Sequence, residues 1–186
     1  MQEFLDQWGY GSIEHMLTEW NVANFSQEAV RSQEAAAFAA AALCEMQHTT
    51  MSAAMYYEAN PTRACAGLFE RNTVKPCHPL WALKAFSELY KLGREVEIET
   101  EGEGLSCLCA SDGECECSAE HYALLIANES KEAIETVLEL GSVMACKLSL
   151  CDEKHDLMPM MEAQAQGFKF TMPAKSFVLV KMAKNN

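Results

Sequence analysis

The sequence predicts a mixed fold. An α/β first half is drawn from a larger parallel sheet or barrel, and an all-β second half is built as an antiparallel sandwich. Three observations predict this. Strand-like runs alternate with helical patterns up to about residue 93, the helical period vanishes beyond it, and seven short strand candidates follow, separated by Gly, Asp, Ser and Pro signals.

The elements follow in order. "SIEHMLTEW" (12–20) reads as a strand. Asn24 or Ser26 then offers an N-cap to a long helix through about Gln47, rich in the strong helix former Ala, with Val30, Phe38 and Leu43 among its apolar positions. "MSAAMYYEA" (51–59) reads as a second strand. A loop with Pro61, Gly67 and Pro76 leads to Pro79, which suits a first helical turn. That helix carries Leu80, Leu83, Phe86, Leu89 and Tyr90 and stops at Gly93. Strand–helix–strand–helix implies parallel pairing with right-handed crossovers. Parallel strands are buried on both faces and need neighbours on each side, so two such units alone form an incomplete domain. The boundary falls at the change of period, giving residues 1–93 and 94–186.

Beyond it, "REVEIETEGEG" alternates, with Glu95, Glu97, Glu99, Glu101 and Glu103 on one face and Val96 and Ile98 on the other, as in a solvated strand. Further strands are expected at 105–110, 121–128, 133–140, 144–151, 167–172 and 176–182, together an antiparallel sandwich.

Composition narrows the function. The chain has 186 residues and a net charge of −13, concentrated in the second half, which excludes the basic surface nucleic acid requires and disfavours anionic membranes. No apolar run approaches the roughly 18 residues of a membrane span. The start, "MQEFLDQWGYG", lacks a secretory pattern. Nine cysteines, an odd number scattered through apolar runs, read as reduced thiols in a cytoplasmic protein. Cys107, Cys109, Cys115 and Cys117 in "CLCASDGECEC" stand apart. A hairpin could bring all four together as free thiols, as disulfides or as a zinc site, and their Cys-x-Cys spacing is not the usual zinc pattern. Free thiols are the expectation, and no metal or cofactor is expected. His121 and His155 read as surface residues, and His15 as hydrogen-bonded core.

The candidate chemistry sits in "HMLTEWN" (15–21). Alternation places His15, Leu17 and Glu19 on one strand face and Glu14, Met16 and Thr18 on the other. Glu19 ends a strand that a helix follows, the position where barrels keep catalytic groups. A carboxylate there can attack an anomeric carbon, or can simply mark where the strand surfaces. Trp20 offers a ring face for a sugar and Asn21 a hydrogen bond to a hydroxyl.

The stretch Thr18-Glu19-Trp20-Asn21 resembles the nucleophile strand of glycoside hydrolase family 39, the β-xylosidase and α-iduronidase family, in which Thr-Glu-Trp/Phe-Asn ends the seventh barrel strand. "MSAAMYYEA", "GLFERNTVKPCHPLWALKAFSELYKLG" and "LCDEKHDLMPM…FTMPAKSFVLVKM" are similar to the last barrel strand, the eighth loop and helix, and the closing sandwich. The resemblance implies that residues 1–93 are the last two βα units of a (β/α)8 barrel. It also implies that Glu19 is the nucleophile of a retaining hydrolase acting on a β-linked sugar, a xyloside first. "YYEANPTR" departs from the family pattern, so Tyr57 and Glu58 enter as substrate-binding candidates by position alone. The family's acid/base lies in an Asn-Glu-Pro motif that does not occur here; Asn128-Glu129-Ser130 is not its counterpart. The chain by itself is therefore expected to be inactive, to bind carbohydrate, and to self-associate or pair with an N-terminal barrel segment through exposed barrel edges. The alternative reading is a non-catalytic carbohydrate-binding or structural sandwich module with a barrel remnant.

Overall fold

The computed structural model describes residues 2–22, 26–63, 67–115 and 117–185. A short helix α1 (Gln2–Gln7) precedes strand β1 (His15–Trp20), helix α2 (Gln33–Gln47), strand β2 (Met51–Tyr56) and helix α3 (His78–Leu92). β1 and β2 pair in parallel, as the strand–helix–strand order requires.

α2 starts later than expected. The N-cap is Ser32, whose Oγ accepts from the Ala35 amide at 3.2 Å, while the Ser26 Oγ accepts from the Ala29 amide at the start of the separate 3₁₀ turn Ala29–Arg31. Asn24 lies outside the described residues. α3 begins with Pro79 in its first turn and ends at Gly93, which takes the left-handed conformation (φ 85°) that closes helices and that only glycine enters without cost. Its buried stripe is Ala82, Ala85 and Leu89, whereas Tyr90, placed on the apolar stripe by spacing, is exposed.

The second half is one six-stranded antiparallel sheet in the order β3-β4-β5-β8-β6-β7. Its strands are β3 (Arg94–Val96), β4 (Leu105–Ser111), β5 (His121–Asn128), β6 (Ile134–Cys151), β7 (Met158–Met172) and β8 (Ser176–Lys184). The glutamate-rich strand stops at Val96, and Glu95 pairs with His48 at 3.0 Å. The two strands expected at 133–140 and 144–151 are a single 18-residue strand. Its register shifts between Glu139 and Met144, so pairing with β8 spans only Met144–Cys151 while the first half pairs with β7 alone. Leu138, Leu140, Phe168 and Phe170 of that hairpin pack over Cys109, Ile126, Val178 and Val180. The second apolar layer thus comes from a bent hairpin within one hydrogen-bonded sheet, where two separate sheets were expected.

The other face of the sheet meets the helices. Ala36, Ala39, Ala40, Ala82 and Ala85 share one core with Leu108, Ala110, Ala123, Leu125, Phe177 and Leu179, and Trp20 joins it from β1. α2 is buried nearly all round, as a helix enclosed between two layers must be. Alanine on both sides lets helix and sheet approach closely. The order of layers is β1/β2, then α2/α3, then the six-stranded sheet.

Candidate functional site

The carboxyl ends of β1 and β2 lie side by side, with Trp20 opposite Tyr56. Between Leu17 and Trp20 the register shifts, and this irregularity re-aims the end of the strand. Leu17 packs on the helix layer, and so does Trp20, which is 9% exposed and whose ring meets Tyr56 edge-on at 5.0 Å and Phe38 at 6.5 Å. Glu19 is exposed, together with Met16, Thr18 and Met55. Leu17 and Trp20 both pack on the helix layer although three residues apart, so strict alternation fails between them. His15 and Leu17 are half-buried, whereas Glu19 is exposed.

Asn21 holds the strand end together. Its Nδ2 donates to the Tyr57 carbonyl at 2.6 Å, and its Oδ1 accepts from the Val22 amide at 2.7 Å and from the Tyr56 hydroxyl at 3.1 Å. The Tyr57 amide donates to the Trp20 carbonyl at 2.9 Å, extending the parallel pairing one residue beyond β2. Burial raises the Tyr56 hydroxyl pKa well above the phenol range, against the opposing pull of the Asn21 bond, so the phenol stays a donor. Gly67 closes this cluster. A Cβ there would stand 2.5 Å from the Tyr56 hydroxyl and 2.7 Å from the Val30 carbonyl, so no side chain fits. The Tyr57–Glu58 peptide bond is cis. The Glu58 side chain is largely buried and lies 3.8 Å from the Arg63 guanidinium.

Five predicted site residues thus cluster at one strand end with different duties. Glu19 is open, Tyr57 is half-buried, Glu58 is largely buried beside Arg63, Asn21 is occupied by backbone and Tyr56, and Trp20 is turned into the core, with no open ring face for a sugar. Sequence reasoning missed Tyr56, Gly67 and Arg63. An apolar run followed by a tyrosine pair gives no sign of which phenol turns inward.

Two clefts lie elsewhere, neither lined by these residues. One of about 580 Å³ includes Glu45, His48, Glu95, Ile98 and Cys107; one of about 430 Å³ includes Glu88, Lys91, Tyr122 and Lys181. The four hairpin cysteines do not converge. Cys107 and Cys109 are free thiols on β4, while Cys115 and Cys117 form a disulfide, correcting the expectation of free thiols there. Among the described residues no group of three or more His, Cys, Asp or Glu side chains is placed to hold a metal ion, and no helix is long and apolar enough to cross a membrane. His121 and His155 pair with Asp112 and Asp152 at 2.7 and 2.8 Å.

No protein-family model and no curated protein matches this chain in sequence. Solved structures do resemble it. It is similar to a glucosidase from Croceicoccus marinus, with a TM-score of 0.74 and 14% identity, over 100% of this chain and 49% of that one. It is similar to a monomeric β-xylosidase from Caulobacter crescentus CB15, with a TM-score of 0.74 and 12% identity, over 100% and 48%. A GH30 endoxylanase from Clostridium papyrosolvens C71 gives 0.69 and 14%, over 98% and 45%. The chain has a glycosidase-like fold and spans about half the length of these structures. The likeness does not single out family 39.

Proposed function

We propose that this chain is the nucleophile-bearing part of a retaining glycoside hydrolase of the family 39 type, acting on a β-linked sugar with a xyloside as first choice. The observation that carries the reading is Glu19, open at the carboxyl end of a parallel strand whose other side is packed on helices. In that role its carboxylate attacks the anomeric carbon, and water later hydrolyses the glycosyl ester. The second carboxyl, as general acid and then base, belongs to a strand outside these 186 residues, so the chain by itself is inactive. Trp20 and Asn21 act as scaffold, locking the strand end so that Glu19 keeps one aim, while Tyr57 and Glu58 stand at the rim for sugar hydroxyls. β1 and β2 are the last two strands of a (β/α)8 barrel, and their free edges take the preceding barrel segment or a second copy. Five free, buried thiols among the described residues support a reducing, cytoplasmic setting, with the Cys115–Cys117 disulfide as the exception.

The test uses an aryl β-xyloside. In the enzyme completed by its preceding barrel units, Glu19→Ala should lower hydrolysis by about 10⁴-fold or more, with azide restoring turnover as the inverted glycosyl azide. Absence of the azide product would remove the nucleophile role. Glu19-dependent turnover by the 186-residue chain alone would overturn the reading that it is only part of the active unit.

A further inference from the structure

We propose that Cys115–Cys117 is a thiol–disulfide exchange site that takes small neutral or cationic thiols, and not a structural staple. The same Cys-x-Cys spacing occurs twice within eleven residues and has two outcomes. On β4, Cys107 and Cys109 point to one face with Cβ atoms about 6–7 Å apart, against about 4 Å for a disulfide, so they stay thiols. Burial pushes both up to about 11, which leaves them unreactive at neutral pH. In the β4–β5 loop the chain turns, bringing Cys115 and Cys117 to a Cα separation of 5.4 Å, and the bond forms.

This bond constrains little. It closes a loop of two residues' separation, where the entropy removed from the unfolded chain is smallest. The loop is held at its neck without it. Asp112 Oδ1 accepts from the Glu120 and His121 amides at 2.9 and 3.0 Å, and Asp112 Oδ2 meets His121 Nδ1 at 2.7 Å. Gly113 lies so close to Ala119 that a Cβ would stand 2.3 Å from its nitrogen, and Arg94 donates to the Gly113 carbonyl at 3.4 Å. The Ser118 and Ala119 amides donate to the Cys115 carbonyl at 3.1 and 3.0 Å.

The two sulfurs differ in setting. Cys117 is exposed, whereas Cys115 is half-buried with the Ser118 hydroxyl 3.5 Å from its sulfur. An incoming thiolate attacks Cys117 Sγ, the S–S bond breaks, and the electron pair leaves on Cys115 Sγ, where the Ser118 hydroxyl and then a proton from water stabilise it. A second thiolate attacks the external sulfur of the mixed disulfide, releasing the small disulfide and the Cys117 thiolate. Two thiols are oxidised and one protein disulfide is reduced. Asp112, Glu114 and Glu120 flank the disulfide along the chain, so an anionic thiol is repelled and a cationic one attracted.

The experiment incubates the native 186-residue chain with cysteamine or glutathione at equal thiolate concentration, followed by acid quench, alkylation and mass mapping. Cys115 and Cys117 should open fully, and reform with cystamine, with the circular dichroism spectrum unchanged. Cysteamine should react about tenfold faster than glutathione at low salt, the ratio falling toward that of a free model disulfide at about 0.5 M salt. In Cys115→Ser, cystamine should leave an adduct on Cys117, and Ser118→Ala should slow opening about threefold. A disulfide that resists excess cysteamine until denaturant is added, or a spectrum that collapses on reduction, would make it a staple and overturn the proposal. A rate ratio insensitive to salt would overturn its selectivity for charge.

Discussion

Replacing Asn21 with alanine tests whether this side chain is scaffold or free to meet a sugar. Three hydrogen bonds would go: Nδ2 to the Tyr57 carbonyl, and Oδ1 from the Val22 amide and the Tyr56 hydroxyl. Each is worth about 1 kcal/mol net, and the half-buried Tyr56 hydroxyl loses the acceptor that compensates its burial, so the total should be about 2–4 kcal/mol. With a urea slope of about 2 kcal/mol/M, the unfolding midpoint should fall by about 1–2 M. Tyr56→Phe removes one partner without leaving an orphan and should cost about 1 kcal/mol alone. In the double variant the losses should fall short of additivity by about 1 kcal/mol. Fluorescence-monitored urea unfolding of the four proteins measures all of this. A midpoint shift below about 0.3 M for Asn21→Ala, or strict additivity with Tyr56→Phe, would refute the scaffold reading and return Asn21 to the substrate side.

Two further outcomes concern stability. Glu88 is held down to about 2 by its bond to Lys181 first and to Lys91 second, joining α3 to β8. A carboxylate with a lowered folded-state pKa stabilises above its unfolded value and loses that contribution as pH falls from about 4.5 toward 2, here about 1 kcal/mol after solvent screening. Comparing urea midpoints at pH 6 and pH 3, Glu88→Gln should flatten that part of the acid loss, and an unchanged slope would show that the pair contributes nothing. Trp20→Ala empties a site in the helix–strand core and should cost about 3–5 kcal/mol, lowering Tm by about 10 °C; a drop of under 2 °C would place the indole outside the core.

Periodicity made β1, β2, α2 and α3 legible as elements, and Gly93 closes α3 as read, although α2 is capped by Ser32 and not by Asn24 or Ser26. Irregular residues hid the rest. Gly141 looks like a turn, yet the strand runs through it from Ile134 to Cys151, with a register shift between Glu139 and Met144. The register shift before Trp20 cannot be seen in a string of letters, and it decides that Glu19 opens outward while Trp20 turns in. Pattern located the candidate carboxylate; the division of labour around it depended on which side chains find partners in three dimensions. Tyr56 was invisible for the same reason, since its role is set by Asn21, 35 residues away. The disulfide is a similar case, because spacing is shared by Cys107/Cys109 and Cys115/Cys117 and only backbone conformation separates them.

The enclosed helix layer sets what can be inherited separately. α2 and α3 carry their alanines into a core completed by β4, β5 and β8, so a cut at residue 93 would leave Ala36, Ala40, Ala82 and Ala85 facing water. A different module joined there would have to present an equally flat, alanine-matched surface, because larger side chains would push the helices, and β1 with them, out of place. Glu19 is therefore aimed in part by a sheet it never touches, and exchange between relatives should move the strand end, its helices and the sheet as one piece.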